Sequence, residues 1–188
     1  MNAKPLPSLG YLRECFELDE TCPSGLCWRL RPPHHFPTHK GWSCNKSRDA
    51  HKAAGALCGA DGGSRFYYRV GIAGSVYGCH RIVYAMFHGI ELPLGVEIDH
   101  KNNDGTDNRI SNLRLASSNQ NRSNVNTKRN NTSTIKGVMW HKQGGYWYGL
   151  VTCDGKRYRI NGSQSKEAVG VLVSELREKL HREFTNHG

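Results

Sequence analysis

Residues 135–160 carry two hairpin turns, Gln143-Gly144-Gly145 and Asp154-Gly155. They separate three runs rich in β-branched and aromatic residues: IKGVMWHK, GYWYGLVTC and KRYRI. Turns of this kind match the twist of antiparallel neighbours, so this part of the chain is restricted to a three-stranded meander. The next run, SKEAVGVLVSELREKLHREF, spaces Val169, Leu172, Val173, Leu176 and Leu180 as one apolar helical stripe. A helix with such a stripe must cover one face of the sheet. Along the second strand, Trp147 and Val151 share one face, and Tyr148, Leu150 and Thr152 share the other. Arg157 and Arg159 alternate together on the third strand and are expected on the uncovered face.

Charge says what that face is for. Residues 109–159 hold ten Lys or Arg and one acid, Asp154, which accounts for nearly all of the chain's net +10. A merely solvated surface mixes signs. A one-signed segment that also holds Trp140, Trp147 and several tyrosines predicts a surface that follows nucleic-acid phosphates.

Upstream, CWRLR, FYYRVGI and SVYGC read as strands, with Ala73-Gly74 as a hairpin turn between the last two. HRIVYAMFHG reads as a short helix with Ile82, Val83, Met86 and Phe87 on its apolar side and Gly89 at its end. Residues 32–64 read as a long loop. VEIDH (96–100) and LRLA (113–116) read as two strands around a polar loop that contains the Asp104-Gly105 turn signal. Ser117 or Ser118 then caps a short helix toward Asn124. SNVNTKRNNTST has almost nothing to bury and reads as an extended linker.

The expected fold class is therefore α+β. A β-rich region, expected to contact DNA, spans 1–95, a strand–loop–strand–helix motif 96–126, a linker 127–134 and a basic domain, expected to bind DNA, 135–188. No apolar run reaches the roughly 18 residues of a membrane span, and no signal sequence is evident, so a cytoplasmic protein is expected; it is also expected to be a monomer. Seven cysteines form no closed disulfide framework. Cys22 and Cys27 lack a second ligand pair at zinc spacing, with Cys44, Cys58 and Cys79 as the other candidates. Structural zinc is not expected, and reduced thiols are.

The chemistry lies in EIDHKNNDGTDNRISNLRLASSNQN (97–121). Neighbours on a strand point in different directions, so Asp99 can hold a cation while His100 reaches a water. A neutral imidazole suits base catalysis near pH 7. An Asn oxygen from the following helix can join Asp99. One carboxylate and one amide oxygen suit Mg²⁺ or Mn²⁺.

HRIVYAMFHG together with VEIDHKNNDGTDNRISNLRLASSNQN resembles the HNH (His-Me finger, ββα-metal) nucleases, above all the phage and intron-encoded homing endonucleases. The resemblance implies His100 as general base, Asp99 and Asn121 as metal ligands, and Asn112 as the residue that braces the loop and orients His100. Asn119 and Asn124 rival Asn121. Asp107-Asn108-Arg109 stands where the family often has Asn-Asn-Arg. The implied function is a site-specific endonuclease of the homing type, acting on double-stranded DNA with one Mg²⁺ or Mn²⁺. The alternatives are a DNA-binding protein of the same build with an inactive site and a restriction-type nuclease.

The stretch TSTIKGVMWHKQGGYWYGLVTCDGKRYRI with its helix is similar to the DNA-binding domain of plant ethylene-response factors. That likeness implies Lys136, His141, Thr152, Arg157 and Arg159 on the groove side. It departs from the pattern at Ile160-Asn161-Gly162-Ser163 and at Met139. Arg122, Lys128 and Arg129 are expected to contact phosphates between the two modules.

Overall fold

The computed structural model describes residues 4–60, 65–124 and 131–187. Lys128 and Arg129, and with them half of the expected linker, lie outside the described residues. The protein is α+β, built from several small antiparallel sheets with helices packed against them. Contacts divide it into two compact units, 1–115 and 116–188.

In the first unit, Ser8 caps α1 (Leu9–Cys15) by accepting from Tyr11 N. The chain then forms the hairpin of β1 (Phe16–Leu18) and β2 (Leu26–Trp28). Between them the chain turns back on itself through Asp19 N to Gly25 O (3.2 Å) and Gly25 N to Cys22 O (2.8 Å). This turn brings Cys22 and Cys27 into a disulfide, which corrects the expectation of reduced thiols at these two positions. The spacing alone did not show that the loop closes on itself. Cys15, Cys44, Cys58, Cys79 and Cys153 are free.

Residues 32–64 are not one loop. They hold α2 (His39–Asp49), capped by Thr38, and β3 (Ala56–Ala60). The helix sequence has no apolar stripe to betray it; Thr38 caps it, and Trp42 Nε1 donates to Arg31 O at 3.0 Å. The strand pairs with β4 (Arg65–Ile72), which pairs in turn with β5 (Ser75–Gly78) across Ala73-Gly74. Both turn residues have positive φ, as a tight hairpin turn requires.

α3 (Cys79–His88) follows and ends at Gly89 in the left-handed region. Ile82 and Val83 enter a core made with Leu12, Phe16, Leu26, Val70 and Ile98, where each large side chain contributes about 1.5–3 kcal/mol. Phe87, expected on the apolar side, is 56% exposed, and Cys79, Tyr84 and Ala85 are buried instead. The core touches α3 on a wider arc than one stripe because α1 and the β-sheet reach it from different sides. β6 (Glu97–His100) and β7 (Leu113–Ala116) form the two-stranded sheet of the motif.

In the second unit, Ser117 and Gln120 form a capping box for α4 (Ser118–Ser123). Residues 131–134, expected at the end of an extended linker, form a turn. Asn131 Oδ1 accepts from Ser133 N (3.0 Å) and Oγ (2.6 Å), and Ser133 is buried. The meander follows as β8 (Val138–His141), β9 (Tyr146–Cys153) and β10 (Lys156–Ser163), in the order β10-β9-β8.

α5 (Lys166–His181) covers the face of Val138 and Val151 with Val169 and Val173, flanked by Trp147, Leu176 and Leu180. Leu172, expected in the stripe, is 49% exposed, while Arg177 is buried. The helix meets a short, twisted sheet, so the contact line drifts toward Gly170 and Arg177 rather than keeping the full apolar arc. Among the described residues no helix is long and apolar enough to cross a membrane.

Candidate active site

β6 ends in Asp99 and His100, both nearly buried at 4% and 6% exposure. Burying a carboxylate requires partners. Arg114, on the neighbouring strand β7, supplies them, donating from Nε and Nη2 to Asp99 Oδ2, each at 2.8 Å. The charge-assisted pair holds the carboxylate in one orientation. No part of the sequence reading had assigned Arg114 this task.

His100 is fixed from the other side of the loop. Its Nε2 lies 3.0 Å from Asn108 Oδ1, and Asn108 Nδ2 donates to Ser24 O at 2.9 Å. The second contact orients the first. A carbonyl can only accept, so the amide nitrogen must face Ser24 and the amide oxygen must face the imidazole. His100 then carries its proton on Nε2 and keeps Nδ1 as the acceptor. Burial pushes the His100 pKa below the ordinary histidine value, opposed by the Asn108 hydrogen bond and by the charges of Asp99, Asp104 and Asp107. The ring is therefore neutral near pH 7, the form a general base needs.

Asn112 hydrogen-bonds within the loop and not to the His100 ring. Its Oδ1 accepts from Asn102 N (3.1 Å), and its Nδ2 donates to Asp107 O (2.8 Å) and Asn102 Oδ1 (3.0 Å). The amide that holds the His100 ring is Asn108. Its signal was present in the sequence as the middle of Asp107-Asn108-Arg109, but its partner Ser24 is 84 residues away. Asp107 is itself anchored by Arg109, whose hydrogen bonds pull its pKa down to about 2. Gly105 serves by size rather than by turn geometry: a Cβ there would lie 2.4 Å from Phe66 O and 2.5 Å from the Tyr67 ring. The positive φ in this loop belongs to Asn103.

His80, at the start of α3, stacks obliquely near His100 with ring centroids 5.0 Å apart, and Tyr67 lies 6.0 Å from both. Its buried Nδ1 has no hydrogen-bond partner. Burial first, then the charges of His100, Arg81 and Arg69, push its pKa down to about 3. The folded protein thus refuses a proton that the unfolded chain takes up below about pH 6.5. Stability from this group is complete above that value and falls as the pH drops toward 3, by about 1.4 kcal/mol per pH unit. His80→Phe removes the titration. Urea unfolding at pH 7, 6 and 5 is expected to show a shallower acid loss in the variant than in the parent. Parallel losses would exclude His80 as the source.

The remaining predicted residues belong to the second unit. Asn121 is on α4 and half-buried, Asn119 is exposed on the same helix, and Asn124 is buried just after it. Arg122 is also on α4. His141, Thr152, Arg157 and Arg159 share the sheet face that α5 leaves open. The register pairs Arg157 with Thr152, Arg159 with Leu150 and His141 with Tyr146. The Arg159 guanidinium lies 4.7 Å over the Tyr148 ring, and His141 stacks on Tyr146 at 4.8 Å. Lys136 does not join this face. Its ammonium donates to Asn186 O at 2.9 Å, beside Arg177, because the chain breaks direction at Gly137 (φ +79°) before β8 begins.

Comparison with known proteins matches the model of the HNH endonuclease family to residues 77–123, which contain α3, β6, the loop, β7 and α4. The chain is also 36% identical over 93 residues to Protein 3.8 of Escherichia phage T7, covering 50% of this chain and 76% of that protein. No solved structure matches. A buried Asp-His pair on a two-stranded sheet, a histidine held neutral, and these two matches agree: the chain belongs to the HNH endonuclease family.

Proposed function

We propose that the protein is a metal-dependent, site-specific DNA endonuclease of the homing type, with His100 as general base and Asp99 and Asn121 as metal ligands. The observation that carries this reading is the Ser24–Asn108–His100 chain of hydrogen bonds, which leaves Nδ1 of a neutral imidazole as proton acceptor beside a buried carboxylate. Asp99 offers a hard cation a carboxylate oriented by Arg114, and the proposed second ligand, Asn121, offers an amide oxygen.

When bound, Mg²⁺ or Mn²⁺ supplies charge stabilisation at the scissile phosphate and the leaving oxygen. His100 Nδ1 takes a proton from the attacking water. Arg114 keeps Asp99 in its ligating orientation. Asn112 keeps the loop from carrying Asn108 away from the imidazole. The open face of β8–β10, with Arg157, Arg159, Thr152 and His141, binds double-stranded DNA outside the motif, and Arg122, Lys128 and Arg129 add phosphate contacts.

Nicking of a supercoiled plasmid tests the reading. Cutting is expected with Mg²⁺ or Mn²⁺ and lost in EDTA, with the circular dichroism of the fold unchanged by chelation. A homing enzyme then cuts one natural locus far faster than random DNA. Plasmid left intact in both cations, with DNA still bound, would make the protein a DNA-binding member of the family instead.

A further inference from the structure

The C-terminal half of α5 borders a pocket of about 880 Å³ within the second unit. β8 begins at Val138, opposite Gly149, so Val151–Cys153 pair with β10 on one edge and border this pocket beyond the start of β8. Three cationic side chains line it, Lys136, Arg177 and Arg182, together with the His181 imidazole, against a single acid among the described lining residues, Asp154.

Arg177 is the unusual member. It is 8% exposed, yet no described carboxylate or carbonyl accepts from its guanidinium. Arginine is almost never buried to this degree unless it is paired. The backbone makes room for it: a Cβ at Gly137 would lie 2.8 Å from Arg177 Nη2 and 2.9 Å from Leu150 O. The neighbours feel the uncompensated charge. Burial and then Arg177 push the Lys136 pKa down to about 8. His181 is lowered by burial, then by Arg177 and Lys136. Burying Arg177 in the isolated protein costs free energy that no described acceptor returns. A bound oxyanion would stabilise all of them at once.

We propose that this pocket is a phosphate-binding site, with Arg177 and Lys136 as its main donors and His181 beside them. The charge surplus of this segment favours a DNA backbone phosphate as the occupant, and that part of the inference rests on the DNA-acting function proposed above. A free phosphate ion presents the same oxygens, so the test has two arms.

In the first arm, thermal unfolding of the full-length protein is followed in sodium phosphate and in sodium chloride of equal ionic strength. Phosphate is expected to raise the Tm of the parent, and Arg177→Met is expected to lose that rise. In the second arm, a random-sequence DNA duplex is titrated by fluorescence anisotropy over a range of salt concentrations. Arg177→Met is expected to weaken binding about 3- to 10-fold on every sequence and to lower the salt slope by about 1.

Lys136→Met carries both arms if Arg177→Met does not fold. Loss of the phosphate response with unchanged DNA binding would retain the site and assign it to free phosphate. An intact phosphate response and salt slope in folded variants would overturn the proposal. Neither arm measures cleavage, so an inactive nuclease would leave the result readable.

Discussion

Replacing His100 by alanine is expected to slow plasmid cleavage by about 10²- to 10⁴-fold while DNA affinity stays close to that of the parent. The asymmetry follows from what the ring does. Its Nε2 is committed to Asn108, so only Nδ1 can act on a water, and that proton moves in the transition state rather than on binding. A neutral, nearly buried imidazole also adds little to phosphate attraction. Single-turnover cleavage in saturating Mg²⁺, beside anisotropy with the same duplex, separates the two effects. Cleavage at the parent rate would remove His100 from the chemistry. An equal loss of rate and affinity would make it a structural residue.

Asn108→Leu is expected to cost about 10- to 100-fold in cleavage rate, as for residues that orient a working side chain through a hydrogen bond. The volume is kept, but two buried partners lose their hydrogen bonds, Ser24 O and His100 Nε2. Stability should fall by about 1–3 kcal/mol, read from urea unfolding. A purely structural role would lower stability without changing the rate of the folded fraction. The positioning role predicts a lower kcat at unchanged KM. It also predicts strong non-additivity with His100→Ala, because Asn108 has nothing left to orient once the ring is gone. Additive losses in the double variant would mean that the two residues act independently.

The parts of the protein that were legible from the sequence are those set by near neighbours in the chain. The Ala73-Gly74 and Asp154-Gly155 turns close hairpins because their backbone angles depend on those residues. Ser117 caps α4 because its hydroxyl reaches a nitrogen three residues on. Asp99 and His100 announce themselves by being adjacent on a strand. The alternation that put Arg157 and Arg159 on one face holds in the register of β10 against β9. α2 was invisible for the same kind of reason: its sequence has no periodic apolar face for pattern reading to find.

What the tertiary structure alone decided are the contacts between distant segments. Ser24 and Asn108 meet only when the β1–β2 loop folds against the motif, and that meeting selects the His100 tautomer. Arg114 finds Asp99 only through the pairing of β6 with β7. On α5 the apolar stripe implied Leu172 inside, but packing against a short twisted sheet buried Arg177 and left Leu172 in solvent. Local propensity acts over three or four residues, so it determines turns, caps and alternation. Which polar groups must share a buried space depends on packing that no local spacing encodes.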